Sequence, residues 1–592
     1  MLHSKLSKMM NRFAEWRIRH IGNDTFVILA AFVVGTVTSL AAVLLKVTVH
    51  EIKYLVETLI YLHQSEWLYF IYPLLGILLC TIYVQVFRKG ELGRGIGLVL
   101  VSILKKNANV EKHKMSSQMI SSVLTVGFGG SAGLEAPIVV TGSAFGSRIG
   151  NAFRMNIKEK TLLIACGAAA GISAIFNCPV AGVIFALEVV LAQATVPAFI
   201  PVLIASATSA VVSKIIYKGQ PFFRITDEWP VADIPLFIVL GLISGLMSVY
   251  CIRTYLKSEQ LFIKRKKPYQ NTIICGVLLG GLTFLFPPLY GEGYNNILEL
   301  FTGNYSALMA YSPFANYISG DYFFLLLAIV LMFTKVLATG LTIGGGGNGG
   351  MFGTSLYSGA FMGFAFSEIV NMTGIASTNP AHFIAIGMAG LLSGVIHAPM
   401  TAIFLIAEIT GGYTLFVPLM IVSALSYFIC KYFETYSVYT KKLALAGELY
   451  VNDKDKIVLE KIELSSLVEN DFAEVSISSN LGHLVEVIGR SKRNIFPVTD
   501  QHHYLHGIIL LDDIRHVMFQ QEKYTTTGVK DLMIQPPAIL MMNEKMSDVM
   551  KKFVDTNAWN LPVLENNRYK GFVSKSSIFT RYRDLLIEEQ SE

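Results

Sequence analysis

Charge is scarce in this chain. Asp, Glu, Lys and Arg make up 15% of its 592 residues, where soluble domains carry about 25%. With 53% hydrophobic residues and a mean hydropathy of +0.52, that scarcity excludes an ordinary soluble protein and implies a lipid bilayer as its partner. Cysteine is scarcer still. Cys80, Cys166, Cys178, Cys251, Cys275 and Cys430 stand singly in apolar stretches without paired spacing, which excludes a disulfide framework and a cysteine metal site. Catalytic signatures are missing as well. There is no His-Glu-x-x-His, no Gly-x-Ser-x-Gly and no pair of intramembrane aspartates, so neither an enzyme nor a bound metal is expected. The net charge of +6 is modest, and its basic clusters lie in short segments between apolar runs. Topology explains such clusters better than nucleic acid does.

What is present is glycine in a particular place. Gly127 to Gly146 reads GFGGSAGLEAPIVVTGSAFG, and Glu135 is the one charge between Lys114 and Arg148. A carboxylate at mid-bilayer costs about 2.5–3.5 kcal/mol on insertion scales, so it lines a cavity or has a partner. The glycines let backbone amides approach a ligand, and Pro137 suits the first turn of a helix. A helix start beside bare amides is an anion site. The alternative is a glycine-rich helix contact with a lipid-shielded glutamate.

In chain order, residues 1–22 read as a basic cytoplasmic arm and residues 23–447 as a membrane domain. Its apolar runs include Thr25 to Val49, Trp67 to Phe87, Thr161 to Leu191, Val196 to Tyr217, Pro235 to Val249, Asn271 to Phe286, Phe323 to Leu341, Met351 to Ile369, His382 to Ile409 and Thr414 to Phe433. The basic loop of Lys105, Lys106, Lys112 and Lys114 is expected in the cytoplasm, a second basic loop lies around Lys264–Lys267, and the aromatic loop from Tyr290 to Asp321 is expected outside. Lys335 either faces the ligand path or is a snorkelling or paired lysine.

The membrane domain repeats itself, with halves at about 23–220 and 230–447. Gly130, Gly133, Gly142 and Gly146 recur 217 residues later as Gly347, Gly350, Gly359 and Gly363. Asn177-Cys178-Pro179 and Glu188 recur 220 residues later as His397-Ala398-Pro399 and Glu408. Two halves with glycine-broken helices are a transporter or channel signature, with the binding site at their interface. Glu188 and Glu408 occur in both halves and read as structural. Glu135 aligns with Phe352 and so occurs in one half only. Asn177 and His397, each just before a Pro, read as helix caps. A cation transporter would place acids in both halves, whereas here an amide-rich cradle holds a single acid.

These features together resemble the CLC family of chloride channels and chloride/proton exchangers, over about residues 25–447. The gating-glutamate motif of the family is matched by Gly133-Leu134-Glu135-Ala136-Pro137. Its Gly-Ser-Gly-Ile-Pro motif falls on Gly93-Arg94-Gly95-Ile96-Gly97, its Gly-Gly-Ile-Phe-x-Pro motif on Gly350-Met351-Phe352-Gly353-Thr354, and its pore tyrosine on Tyr439. Phe176-Asn177-Cys178-Pro179-Val180-Ala181-Gly182 with Glu188 matches a further segment. The resemblance implies an all-α polytopic fold, an inverted repeat of tilted, broken helices, assembled as a homodimer with one pore per subunit in a prokaryotic plasma membrane, both termini cytoplasmic. It implies anion-binding at Leu134 and Ala136 around the gate Glu135, and at Gly93, Arg94, Gly95, Ile96, Met351, Phe352 and Tyr439 more centrally. The ligand would be chloride or another small anion.

Three departures matter. Arg94 stands where the family has a serine, so a hydroxyl donor is lost; the cation either nears the anion path or points to cytoplasmic water. Gly97 replaces a proline. Val189 follows Glu188 where exchangers often carry a second, proton-relaying glutamate. That valine favours a voltage- or pH-gated chloride channel, with a chloride/proton antiporter lacking the internal glutamate as the alternative.

Residues 448–592 are charge-rich and hold two similar units, about 462–520 and 529–588. Ile495-Phe496-Pro497-Val498 with Gly507-Ile508-Ile509, and Asn560-Leu561-Pro562-Val563 with Gly571-Phe572-Val573, resemble a tandem CBS pair, an α/β module. Such pairs can bind adenine nucleotides. The ribose positions fall on Leu510 and Asp513, and on Ser574 and Ser577, of which Leu510 and Ser577 depart from the usual residues. A ligand-free structural pair and a nucleotide sensor both remain open.

Overall fold

The computed structural model describes residues 20–63, 67–191, 196–217, 224–265, 267–309, 312, 321–445 and 462–591. Most of the expected N-terminal arm lies outside these residues. The chain divides into two units, Met1–Glu448 and Leu449–Glu592.

The first unit is helical. Its first half holds α1 (Asn23–His63), α2 (Leu68–Arg88), α3 (Gly97–Lys105), α4 (Lys114–Gly127), α5 (Glu135–Ala152), α6 (Ile157–Phe176), α7 (Pro179–Phe185, continued by a π turn, Ala186–Val190) and α8 (Val196–Ile216). Its second half holds α9 (Ile234–Ile263), α10 (Pro268–Leu285), α11 (Tyr294–Thr302), α12 (Asp321–Gly344), α13 (Met351–Thr373), α14 (Pro380–Ile396), α15 (Pro399–Ile409), α16 (Phe416–Phe433) and the short α17 (Lys441–Leu445). Among the described residues, seven helices are long and apolar enough to cross a membrane. This is a multi-pass membrane protein.

Two boundaries differ from the sequence expectation for physical reasons. α1 continues 14 residues beyond Val49 to His63. Its extension is amphipathic and carries the i,i+4 ion pair Lys53–Glu57 at 3.6 Å. The runs Thr161 to Leu191 and His382 to Ile409 each hold two helices, as the caps expected at Asn177 and His397 imply. Asn177 and His397 both adopt φ +56°, in the left-handed region, and end α6 and α14. They are C-terminal caps of the preceding helices rather than N-terminal caps of α7 and α15, whose starts have no side-chain cap.

The repeat glycines mark where the two helices of each half touch backbone to backbone. A Cβ on Gly146 would lie 2.0 Å from the Leu163 carbonyl oxygen, and one on Gly363 1.9 Å from that of Phe383. Gly142 meets Gly167 and Gly359 meets Gly387 in the same way, at 2.2 and 2.5 Å. So α5 packs on α6 as α13 packs on α14. The halves also exchange equivalent bonds. The Gly133 amide donates to the Gly350 carbonyl (3.1 Å), and the Gly350 amide returns the bond (2.9 Å). Glu188 accepts from the Met400 and Thr401 amides at the start of α15 (3.2 and 2.8 Å), while Glu408 accepts from the Val180 and Ala181 amides at the start of α7 (3.0 and 2.8 Å). Reciprocal contacts between equivalent residues require a two-fold relation between the halves.

The second unit repeats a smaller pattern. β1 (Val475–Ser476) runs parallel to β2 (Ile495–Thr499), which pairs antiparallel with β3 (Leu505–Leu510). β4 (Leu540–Met541), β5 (Asn560–Glu565) and β6 (Arg568–Ser574) do the same. Both hairpins slip register at the same step, between Val498 and Thr499 and between Val563 and Leu564. Phe472, Ile508, Leu564, Tyr569 and Phe572 form one apolar cluster shared by the two repeats. This is the α/β architecture expected for a CBS pair.

Candidate functional site

The Gly133–Gly350 bridge sets two helix starts beside each other, α5 from Glu135 and α13 from Met351. Every side chain from Ala132 to Ala136 is at most 1% exposed, Glu135 included. Its carboxylate turns onto the other helix. Oε2 accepts from the Gly353 amide in the first turn of α13 (3.2 Å), and Oε1 accepts a short bond from the Tyr294 hydroxyl. The first amides of a helix lack intrahelical acceptors and carry the positive end of its dipole, so a carboxylate there satisfies both. Bonds to charged groups contribute about 1.5–3 kcal/mol each, enough to offset much of the insertion cost.

A cavity lies on each side of this carboxylate. The first, about 450 Å³, is lined by Leu134, Tyr294 and Glu292, with Lys46, His50 and Lys53 from α1. The second, about 190 Å³, is lined by Ala136, Met351, Arg94, Gly95, Ile96 and Tyr439. Leu134 and Ala136, on either side of Glu135 in the chain, thus line opposite cavities. The Tyr439 hydroxyl is buried and has no hydrogen-bond partner among the described residues. Beside the amides that open α13, it is a donor free for an anion.

Two expected site residues stand apart from this lining. Gly93 is turned away, its carbonyl accepting from Gln118 Nε2 at 2.8 Å. The Phe352 side chain packs on Phe176 and Phe185, with ring centroids at 5.7 and 6.2 Å. Arg94 lines the second cavity but is tied down. Its guanidinium donates to the carbonyls of Ile343 (3.1 Å) and Gly346 (2.8 Å), the negative end of α12. Lys335 is neither snorkelling nor in either lining. It is fully buried, donates to the carbonyls of Gly291 (2.7 Å) and Leu289 (3.3 Å), and lies 4.7 Å from the Tyr357 ring centroid.

That lysine fixes the segment the sequence reading missed. Gly291-Glu292-Gly293-Tyr294 leads into α11 and delivers Tyr294 to Glu135. Gly293 has φ +94°, and a Cβ there would lie 2.4 Å from the Tyr357 ring. The detectable signal is an acid set directly between two glycines, Gly291 and Gly293.

In the second unit, the two expected nucleotide residues are placed differently. The Ser574 hydroxyl donates to Glu469 Oε1 (2.9 Å), and the other oxygen of Glu469 accepts from Arg493 (2.6 Å). Arg493 also holds the Asp471 carboxyl below the usual carboxylate range. Asp513 is the third residue of the short helix after β3, Leu511–Ile514, and is exposed.

Family models match both units of the chain. Residues 75–431 match the family model described as voltage gated chloride channel, and residues 529–584 match that of the CBS domain. The ClcB-like protein of Ralstonia nicotianae is 26% identical over 390 residues, covering 64% of this chain and 86% of that protein. The H(+)/Cl(-) exchange transporter ClcA of Vibrio cholerae is 29% identical over 310 residues, covering 50% of this chain and 62% of that protein. Among solved structures, a slow cyanobacterial Cl-/H+ antiporter superposes with a TM-score of 0.62 at 23% identity, covering 72% of this chain and 99% of the other.

Proposed function

The chain belongs to the voltage gated chloride channel family, whose members move anions across membranes, and we propose that it carries chloride between the two cavities with Glu135 as the gate. The observation that carries this reading is the Glu135 carboxylate lying on the Gly353 amide at the start of α13. A carboxylate mimics a halide at amide donors. While ionised and in place it excludes an anion; once protonated, or displaced by an anion, it clears the path. Leu134 and Ala136 amides form the outer site, and the amides of Met351 and Phe352 with the Tyr439 hydroxyl form the central one. Arg94, Gly95 and Ile96 line the inner approach.

The basic segment Lys264, Arg265 and Lys267 argues for the cytoplasm on the side of the loop joining α9 to α10, and so does Lys105–Lys114. In our reading the second cavity opens inward and the first outward, both termini are cytoplasmic, the membrane is a prokaryotic plasma membrane, and two copies form a dimer with a pore in each.

Val189 offers no titratable relay towards the cytoplasm, which favours passive, Glu135-gated conduction. A second reading, proton-coupled exchange through a water chain, is favoured by relatives named as exchangers. The deciding experiment is the reversal potential of the purified protein in bilayers under graded chloride and a proton gradient. Passive conduction holds it at the chloride value; coupled exchange displaces it, and Glu135→Ala abolishes the displacement. In the second unit, the bond from Ser574 to Glu469 favours a ligand-free CBS pair over an adenine-nucleotide sensor. Titrating ATP into the full chain in a calorimeter tests it, and saturable heat would overturn that preference.

A further inference from the structure

The first cavity contains one acid that the gating reading does not use. Glu292 is half-buried in the cavity wall, two residues before Tyr294, whose hydroxyl donates to Glu135. The charged and titratable groups facing it come from several elements. α1 supplies Lys46, His50 and Lys53; Lys53 is also paired with Glu57. Tyr217 follows α8, Tyr294 opens α11, and Glu135 opens α5 behind that tyrosine. Lys335 of α12 lies behind the loop, on the Gly291 carbonyl. The cations of α1 draw anions into the cavity. They also let Glu292 exist as a carboxylate there, next to the route by which a proton must reach Glu135.

We propose that Glu292 is the outer proton station of the gate, a positioning residue that acts on Glu135 through Tyr294. This rests on the reading of Glu135 as the gate. The cavity, about 450 Å³, is roomy enough for several waters, and Lys46, Lys53, Glu292 and Asn295 in its wall give them polar partners. A hydronium in it protonates the Glu292 carboxylate and becomes water. The carboxyl O–H then gives its proton, directly or through one water, to the Tyr294 oxygen as that hydroxyl releases its own proton to Glu135 Oε1. Glu292 is again a carboxylate, Tyr294 again neutral, and one proton has moved from outer water to the gate. Nothing is oxidised or reduced. Glu292 has a second effect. A carboxylate close to another carboxylate favours protonation of its neighbour. Removing the Glu292 charge therefore makes the gate harder to protonate.

The test is chloride flux from sealed proteoliposomes containing the full chain, with only the outer pH varied. Glu292→Gln is expected to move the midpoint of acid activation to more acid outer pH by about one unit, a tenfold change in proton concentration. Tyr294→Phe, which keeps the ring but not the relay, is expected to slow the flux response to an outer pH jump severalfold. Glu292→Asp is expected to restore most of the wild-type profile, which a merely structural role would not give. A Glu292→Gln profile superimposed on wild type, with Glu135→Gln flat, overturns the proposal and leaves the gate intact. A Glu135→Gln protein that keeps its pH dependence overturns the gate itself. Should Glu292→Gln fail to assemble, Glu292→Ala takes its place: an unshifted midpoint counts against the station, and a shift of about one unit to more acid outer pH counts for it.

Discussion

Glu188 and Glu408 occupy equivalent places in the two halves and make equivalent bonds, each capping a helix of the other half. Glu135 and Phe352 also occupy equivalent places, yet one is a carboxylate lying on the start of α13 and the other an aromatic ring packed among aromatics. Where the two-fold is kept, the residues hold the halves together. Where it is broken, the chain carries a negative charge in one half and a helix start that holds it in the other. The same contrast recurs at the carbonyls beyond α4 and α12. Gly346 accepts from the Arg94 guanidinium, while its counterpart Gly129 accepts from the Gly291 amide.

The comparison breaks most severely if the symmetric glycines are interchangeable. Gly146→Ala and Gly363→Ala each push a methyl group to about 2 Å from a carbonyl oxygen. Both should abolish recovery of folded protein, seen as loss of the monodisperse peak in detergent. Survival of one alone would show that the halves do not pack alike.

Next in size is Glu135→Gln, which keeps the shape of the side chain but removes its charge. Loss of all pH dependence of anion flux is expected, with α5 and α13 otherwise unchanged. Removing the symmetric pair should instead act on stability. Glu188→Ala and Glu408→Ala each strand two backbone amides at a helix start, about 2–3 kcal/mol. Glu188 also accepts from the Thr401 hydroxyl (2.7 Å), so its loss should lower the melting temperature more. Flux per folded molecule should keep its pH profile in both. The smallest effect is expected for Arg94→Ser, a few-fold change in the chloride/nitrate permeability ratio, because the guanidinium lines the second cavity while its nitrogens Nη1 and Nη2 are held by carbonyls.

How much of this was legible in the sequence follows from what each residue does. The repeat was visible because glycine is forced wherever two helices touch at the backbone, and the same spacing must serve both halves. Glu135 stood out as a lone charge in an apolar stretch. Its partner did not, because Tyr294 is 159 residues away and sits in a segment that reads as an exposed polar loop. The environment of that segment depends on Lys335, whose burial under Tyr357 leaves no local pattern. Asn177 and His397 were read on the wrong side of their helix boundary. A residue just ahead of a proline looks like an N-terminal cap, but here a left-handed residue ends one helix and the residue after it, Cys178 or Ala398, precedes the next. Gly93 was read as part of the site, and its place away from the lining is set by Gln118, 25 residues later.

The central claim is that Glu135 and the anion compete for the same amides. Its most direct measurement is equilibrium chloride binding by calorimetry on the purified protein across pH, wild type against Glu135→Gln. The account predicts that chloride binds wild type more tightly as pH falls, as the carboxylate protonates and vacates the start of α13. Glu135→Gln should bind chloride tightly at every pH. Parallel pH dependence in the two proteins, or weaker binding by Glu135→Gln throughout, would contradict it.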